Sequence, residues 1–419
     1  MRLYSKFFII PILISLSAGC AKSSQDSVKI QDGRVIIHKL DAALLRKKVL
    51  EQKTYLLNAR NPQHSGYYKK YNPETDTAEV RLRTVYSASA AFSLLKMKQF
   101  ENDTALDPIL ASIVDFLSFM QVKDGPLKGA FHYSFNPETG VKEPRFVVGT
   151  ASKVIYTLVN LYKDSPKPEY LSMANEAAAW LMKQVDPLGN VSPETFLAGS
   201  QSTVTKKKSY LYSGQVLSAL SRLYVITKDP LLYQTAQRIA AQLLHDAGQQ
   251  NYFVGDDYRR PNTVSTSWLM MSFMDFSIIN PTDKSYEDAL FKAADALLDH
   301  QISDTSDLMR YGRFNDTDAA SGNGWINEVL VDGYKLCVDR NLPGCERYLD
   351  AAIRDTRWLI QNIYSSENSS HLPNPQRALG GLIRNKAEKT VRTDAVCHSI
   401  NGMVEMLAIK PDLLFEVPK

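Results

Sequence analysis

The feature that most narrows the fold is a repeat. The stretch GYYKKYNPETDTAEVRLRTVYSASAAFSLL, beginning at Gly66, returns 64 residues later as AFHYSFNPETGVKEPRFVVGTASKVIYTLVNLY, beginning at Ala130. In register, Asn72-Pro73-Glu74-Thr75 falls on Asn136-Pro137-Glu138-Thr139, Glu79 on Glu143, Arg81 on Arg145, and Tyr67 and Tyr71 on Phe131 and Phe135. Each copy reads as an aromatic strand, a turn set by Asn and Pro, a second strand, and a helix of small and apolar residues. One such unit cannot bury its apolar face alone, so copies must stack.

The plan continues to the end of the chain. Helices charged on one face are predicted over 40–59, 105–122, 167–185, 229–246, 283–302 and 345–364. They alternate with helices poor in charge and rich in Ala, Ser, Gly and Thr over 83–98, 149–163, 209–226, 263–278, 324–338 and 392–408, a composition that suits helices packed on all sides. Anchors near the starts of this second set (Tyr86, Thr150, Tyr212, Thr266, Asn327 and Ala395) are spaced by 64, 62, 54, 61 and 68 residues. Six hairpins of near-constant length can close into a ring, which needs no polar end caps, and neither end here looks like one.

This pattern resembles the (α/α)6 toroid of the six-hairpin glycosidases, related polysaccharide lyases and sugar epimerases. The expectation is an all-α toroid of six helical hairpins with short β-hairpins in the linkers on one face, forming one domain over 40–419. The resemblance implies carbohydrate chemistry without choosing a reaction.

The start of the chain, MRLYSKFFIIPILISLSAGC, has a basic end, a short apolar run from Phe7 to Leu16 and small residues before Cys20. It resembles a bacterial lipoprotein signal over 1–19, with Ser17-Ala18-Gly19-Cys20 as the processing motif. That implies lipidation of Cys20, a polar tether over 20–39, and an outer-membrane location facing the periplasm or the cell surface. The formal charge of +4 falls to about +2 without Arg2 and Lys6, too small a bias to expect nucleic acid as a partner. In an oxidising compartment Cys337 and Cys345, eight apart across a turn, are a candidate disulfide.

In such a ring the linkers from outer to inner helices gather on one face, above the inner N-termini, whose free N–H groups attract anions. Each linker carries cations: Arg81 and Arg83, Arg145, Lys206 to Lys208, Arg259 and Arg260, Arg313, and Lys389 with Arg392. The expected ligand is therefore an anionic carbohydrate, although these cations can equally pair with neighbouring acids such as Glu79, Glu143, Asp257 and Glu388. His132 and Tyr133 lie on a linker strand that can face the ligand or peg the linker to the helices. Trp325 and Asn327 flank Glu328 on the fifth inner helix, and Asp394 and His398 stand four apart on the sixth.

Two mechanisms fit. A glycosidase needs two carboxylates, for which Asp394 with Glu328 or Asp257 serve. A lyase or C5-epimerase needs a base, from His398 (oriented by Asp394), Tyr212 or Tyr258, with Arg392 and Arg145 neutralising a uronate carboxylate. The alternative for Asp394 and His398 is an N-cap and a core histidine. A different class of function also remains open: a toroid that binds glycan or an envelope protein partner without turnover. Cys397-His398 is similar to the zinc ligands of lanthionine cyclases, but Cys337 lies far along its helix, about 18 Å from the end near Cys397 at 1.5 Å per residue. No metal or other cofactor is expected.

Overall fold

The computed structural model describes residues 29–198 and 201–418. The leader and Cys20 lie outside them. Among the described residues there are thirteen α-helices: α1 (Ala42–Ala59), α2 (Thr84–Glu101), α3 (Asp107–Met120), α4 (Val148–Asp164), α5 (Pro168–Lys183), α6 (Tyr210–Thr227), α7 (Pro230–Gly248), α8 (Thr263–Ile279), α9 (Ser285–Leu298), α10 (Ala320–Asp339), α11 (Glu346–Gln361), the short α12 (Pro375–Ala378) and α13 (Thr393–Ile409). Helices α2, α4, α6, α8, α10 and α13 pack in that order, and α13 returns to α2 to close an inner ring. The outer layer is α1, α3, α5, α7, α9 and α11, so the expected (α/α)6 toroid is the fold observed. Among the described residues no helix is long and apolar enough to cross a membrane.

Inner and outer helices divide as their composition requires. In α8 thirteen side chains from Thr263 to Ser277 are buried, whereas α9 buries one stripe that includes Tyr286, Leu290, Ala293, Ala294 and Leu297. Only α10 starts far from its expected position, four residues early at Ala320. The glycines Gly322 and Gly324 disfavour a helix by propensity. Tertiary bonds override them: Asn323 accepts from the Phe314 N–H at 2.9 Å and donates to the Thr317 and Ala319 carbonyls, and the Ala320 N–H donates to the Arg384 carbonyl.

The repeated Asn-Pro motif is a turn in both copies. Asn72 Oδ1 accepts the Glu74 N–H at 3.0 Å and Asn136 Oδ1 accepts the Glu138 N–H at 2.9 Å. The chain then passes through a left-handed residue at equivalent places, Asp76 at φ 50° and Gly140 at φ 69°. The strands around these turns knit successive linkers together. Tyr67–Tyr68, Leu82–Arg83, Ser134–Asn136 and Val141–Lys142 form one sheet; Arg145–Val147 pairs with Glu194–Ala198, and Val391–Arg392 with Lys70–Asn72. One side of the mouth therefore has a β-rim built by the sixth, first, second and third linkers.

A second recurring device seats the linkers on the outer layer. Gly129, Gly189, Gly312 and Gly380 all have φ between 83° and 93°, and a Cβ on any of them would lie 1.9–2.2 Å from a backbone carbonyl oxygen in the middle of the next outer helix: Glu176 in α5, Arg238 in α7, Arg354 in α11 and Glu51 in α1. The fifth linker, which has no strand, is also held by α11. Arg357 and Gln361 both donate to the Leu308 carbonyl, and Trp358 Nε1 donates to the Met309 carbonyl.

One local expectation changes and another holds. The segment assigned to a tether through residue 39 is structured from Ile30: Ile30–Gln31 pairs with Arg34–Val35, the Gly33 carbonyl accepts from Asn368, and Lys39–Asp41 pairs with the C-terminal strand Leu414–Glu416. Strand pairing satisfies backbone groups that a polar tether leaves to water. Cys337 and Cys345 are joined, with their Cα atoms 5.7 Å apart, and fasten α10 to the start of α11.

Candidate active site

A cavity of about 580 Å³ opens at the ring's N-terminal mouth and runs down its axis. Every inner helix contributes to its wall: Tyr86 from α2, Lys153 and Tyr156 from α4, Gln215 from α6, Trp268 from α8, Trp325 from α10, and Asp394 and His398 from α13. Trp268 and Trp325 stack with ring centroids 3.8 Å apart, and Trp325 meets the His398 ring edge-on at 5.0 Å. This apolar wall with polar groups opposite is the usual make-up of a small-molecule site.

One part-buried pair in the ring spans two inner helices. Glu328, buried behind Trp325 on α10, accepts from His398 Nδ1 at 2.7 Å and from Asn401 Nδ2 at 3.2 Å. Burial pushes its carboxyl up, but His398 and Lys153 outweigh that and hold it at about 2. A carboxylate only accepts hydrogen bonds, so His398 donates from Nδ1, and in the neutral form of the ring Nε2 is the nitrogen that holds the lone pair. His398 lines the cavity, a geometry in which an imidazole can accept a proton from a bound ligand.

Asp394 does not orient His398, as its i+4 spacing led us to expect. Its carboxylate takes a bidentate pair from Arg392, Nε at 3.0 Å and Nη2 at 2.6 Å, and Arg392 also donates to the Tyr86 hydroxyl. Burial opposes ionisation of Asp394, yet Arg392 keeps its carboxyl below the usual range. The alternation of helix sides explains the exchange: the first turn of α13 faces the rim, and one turn deeper the neighbouring α10 is closer than any group on α13 itself.

The remaining candidates separate clearly. Arg260, with Arg259, Trp325 and Arg392, lines the cavity. Asn327 is fully buried and donates to Ala352 and Thr356 of α11, so it holds two helices together and does not reach the cavity. Arg313 donates to the Phe314 and Thr317 carbonyls of its own loop. Asp257 accepts the Lys208 backbone N–H at 2.8 Å and faces a separate hollow of about 290 Å³. His132 meets the Glu143 carbonyl at 2.9 Å and packs on Phe146, a pegging contact.

Tyr212 and Tyr258 meet edge-on at 6.4 Å outside the main cavity. Burial pushes both hydroxyls above their ordinary range, the wrong direction for a base. The rim arginines are largely neutralised. Arg145 pairs with Glu194 at 2.6 Å and Arg83 with Glu79 at 3.1 Å, while both cover the Tyr133 ring. Thus these arginines make the mouth less cationic than the linker sequences implied, because Arg145 draws its counter-ion from the following linker and Arg83 from its own.

Several groups in the ring were not singled out from sequence. Lys153 lies over Phe92 and Tyr156; Arg222 covers Tyr156 at 4.1 Å and pairs with Asp275 at 2.7 Å; Asp332 follows Glu328 by one turn. A signal existed. Lys153 is the only charged residue between Val147 and Tyr162, Arg222 the only one in α6, and Asp275 the only one in α8. A single charge in an otherwise uncharged, buried helix has to face either a partner or a cavity.

Asp332 offers a check on the electrostatics. Burial, opposed by Lys96, raises its carboxyl to about 6. An acid whose folded-state value is raised destabilises the fold as pH rises from about 4 through 6, because the folded form holds a proton that the unfolded form has released. Asp332→Asn is expected to stabilise the protein by about 2 kcal/mol at pH 8, allowing for its partial exposure, and by nothing near pH 3.5. Melting temperatures of the pair across this range test it; an equal gain at both ends removes the electrostatic cause.

Among the described residues no cluster of His, Cys, Asp or Glu is arranged to hold a metal ion. Residues 46–252, just under half the chain, match the β-L-arabinofuranosidase GH127 catalytic domain. No curated protein sequence matches. Solved structures superpose over almost the whole ring. Cellobiose 2-epimerase from Bacillus thermoamylovorans aligns with a TM-score of 0.67 at 12% identity, covering 88% of this chain and 99% of its own.

The fold is that of carbohydrate-active enzymes. An unsaturated glucuronyl hydrolase specific for heparin aligns with a TM-score of 0.65 at 13% identity over 90% of this chain and 100% of its own. The GH76 α-1,6-mannanase of Salegentibacter sp. HEL1_6 gives 0.62 at 11% identity, over 87% and 99%. Epimerases and hydrolases thus share this ring, and the reaction has to be argued from the side chains.

Proposed function

We propose that this toroid is an enzyme that moves a proton at a sugar carbon next to a carboxylate, acting on a uronate-containing oligo- or polysaccharide as a C5-epimerase or a lyase. The observation that carries this reading is His398, facing the cavity with its Nδ1 bound at 2.7 Å to a buried carboxylate. His398 takes the C5 proton, the electron pair passes into the carboxylate as an enolate, and nearby cations stabilise it. Returning a proton to the opposite face inverts the carbon; expelling the oxygen substituent at C4 leaves an unsaturated sugar. Glycoside hydrolysis is the second reading, favoured by the match over residues 46–252. Against it, a hydrolase needs one carboxyl kept protonated at the bond; Glu328 and Asp394 are both held ionised, and Asp332, whose carboxyl is raised, does not line the cavity.

The test is incubation with acidic polysaccharides and their oligosaccharides in D2O. Deuterium at C5, or ultraviolet absorbance from an unsaturated uronate, is the expected result. New reducing ends without either would transfer the site to hydrolysis, and binding without any product would support the non-catalytic alternative. The Cys337–Cys345 disulfide favours an oxidising compartment, which suits the proposed lipid anchor on Cys20 and an outer-membrane location. Metabolic palmitate labelling should be present on the full chain and absent from Cys20→Ala.

A further inference from the structure

Several cations in the ring and its rim have carboxylate partners, and the arginines that line the cavity without one among the described residues, Arg259 and Arg260, are exposed at its mouth. Arg392 is bound by Asp394, Arg145 by Glu194, Arg83 by Glu79, and Arg222, deep in the ring, by Asp275. Lys153 is different. It lines the cavity from the second turn of α4 and, among the described residues, its ammonium makes no ion pair or hydrogen bond; it lies between the Phe92 and Tyr156 rings, 4.9 and 4.5 Å from their centroids. Two further donors in the same wall lack partners, the Ser152 hydroxyl and the Trp325 indole N–H, on residues 3% and 5% exposed, as does one acceptor, the Gln215 amide oxygen. Buried donors without acceptors are rare, and in a cavity wall they point to a polar ligand that accepts from them.

We infer that Lys153 is the carboxylate-binding residue of the cavity and sets its preference for a uronate over a neutral sugar, with the Ser152 hydroxyl and the Trp325 N–H as accessory donors. The inference rests on the proton-transfer reading only for the role of the bound carboxylate, since charge selection itself needs no chemistry. An ammonium flanked by two aromatic rings is already partly desolvated, so an arriving carboxylate does not have to strip a full hydration shell from it. Aromatic rings cannot supply the hydrogen-bond acceptors that the ammonium lacks. Burial lowers the pKa of this ammonium and Glu328 only partly opposes that, its carboxylate being committed to His398 and Asn401, so an incoming carboxylate supplies the counter-charge the site lacks. A carboxylate seated on Lys153 lies in the same chamber as His398, which is where an acidified α-carbon has to be. The exposed Arg259 and Arg260 at the mouth are then left to steer acidic chains inward.

The experiment is equilibrium binding by calorimetry in the His398→Gln background, where the ligand is not consumed. The probes are oligogalacturonides, oligoalginates and heparin disaccharides, each against its carboxyl-reduced neutral form. At least one acidic probe is expected to bind about 30-fold or more tightly than its reduced form. Lys153→Met should abolish that preference while leaving the neutral form's affinity unchanged, which also reports that the ring is folded, and Lys153→Arg should keep part of it. In the wild-type protein the acidic probe, and not its reduced form, should slow acetylation of Lys153 read by peptide mass. A preference that survives Lys153→Met, or no carboxylate-dependent binding across the panel, overturns the inference. Carboxylate preference with neither deuterium exchange nor unsaturated product in the wild type would defeat the proton-transfer reading and leave Lys153 standing; either product signal without the preference would do the reverse.

Discussion

His398→Gln is expected to lower kcat by about 10²–10⁴-fold while the protein stays folded, the range for loss of a positioned proton-transfer group. Glutamine is the informative replacement. It keeps an N–H donor for Glu328, whereas alanine would leave a buried carboxylate short of a partner and could cost about 3–5 kcal/mol of stability. Glu328→Gln should also lower kcat, by about 10²-fold, because a neutral amide neither fixes the imidazole tautomer as firmly nor stabilises the imidazolium. Asp257→Asn is the control, since that carboxylate serves a backbone N–H beside the separate hollow. Full activity in both His398→Gln and Glu328→Gln, measured by deuterium exchange or product absorbance, would remove this pair from the mechanism.

Gly129→Ala should damage the fold far more than Gly125→Ala, four residues earlier in the same linker. Both glycines are left-handed, at φ 90° and 71°, so alanine pays a similar backbone strain of about 1–2 kcal/mol at either. Only Gly129 meets anything. Its added Cβ would lie 1.9 Å from the Glu176 carbonyl oxygen in α5, while at Gly125 nothing lies within 4 Å. A helix backbone cannot retreat without breaking its own hydrogen bonds, so Gly129→Ala is expected to exceed 4 kcal/mol in total, enough to be exceptional for one substitution. Gly380→Ala, which meets Glu51 in α1 at 1.9 Å, should behave alike. Comparable melting temperatures for the Gly125 and Gly129 variants would show that the linkers are not seated on the outer helices in this way.

Much of the ring was legible in the chain because its signals are local. A helix buried on all sides has to shed charge, and a helix facing water on one side has to keep it; the contrast between VSTSWLMMSF in α8 and SYEDALFKAADALL in α9 is enough to sort them. The Asn-Pro turns were readable for the same reason, since Asn72 and Asn136 bond to backbone two residues away. The seating glycines were not recognised, because what forbids a side chain at Gly129 belongs to α5, some fifty residues on.

The site divides along the same line. The sequence by itself determined which residues stand at inner helix N-termini, and so which chemical groups a mouth could draw on, including Trp325, Glu328, Arg392, Asp394 and His398. Only the tertiary structure decided their partners. Spacing along α13 set Asp394 one turn from His398, yet Arg392 claims Asp394, and the carboxylate that orients His398 arrives from α10, seventy residues earlier in the chain. Tertiary packing likewise neutralised the rim arginines and left Lys153 without a counter-ion. The reason is physical: helix periodicity is set by bonds within four residues, whereas which charge meets which depends on ring closure, and that brings distant turns within 3 Å of each other.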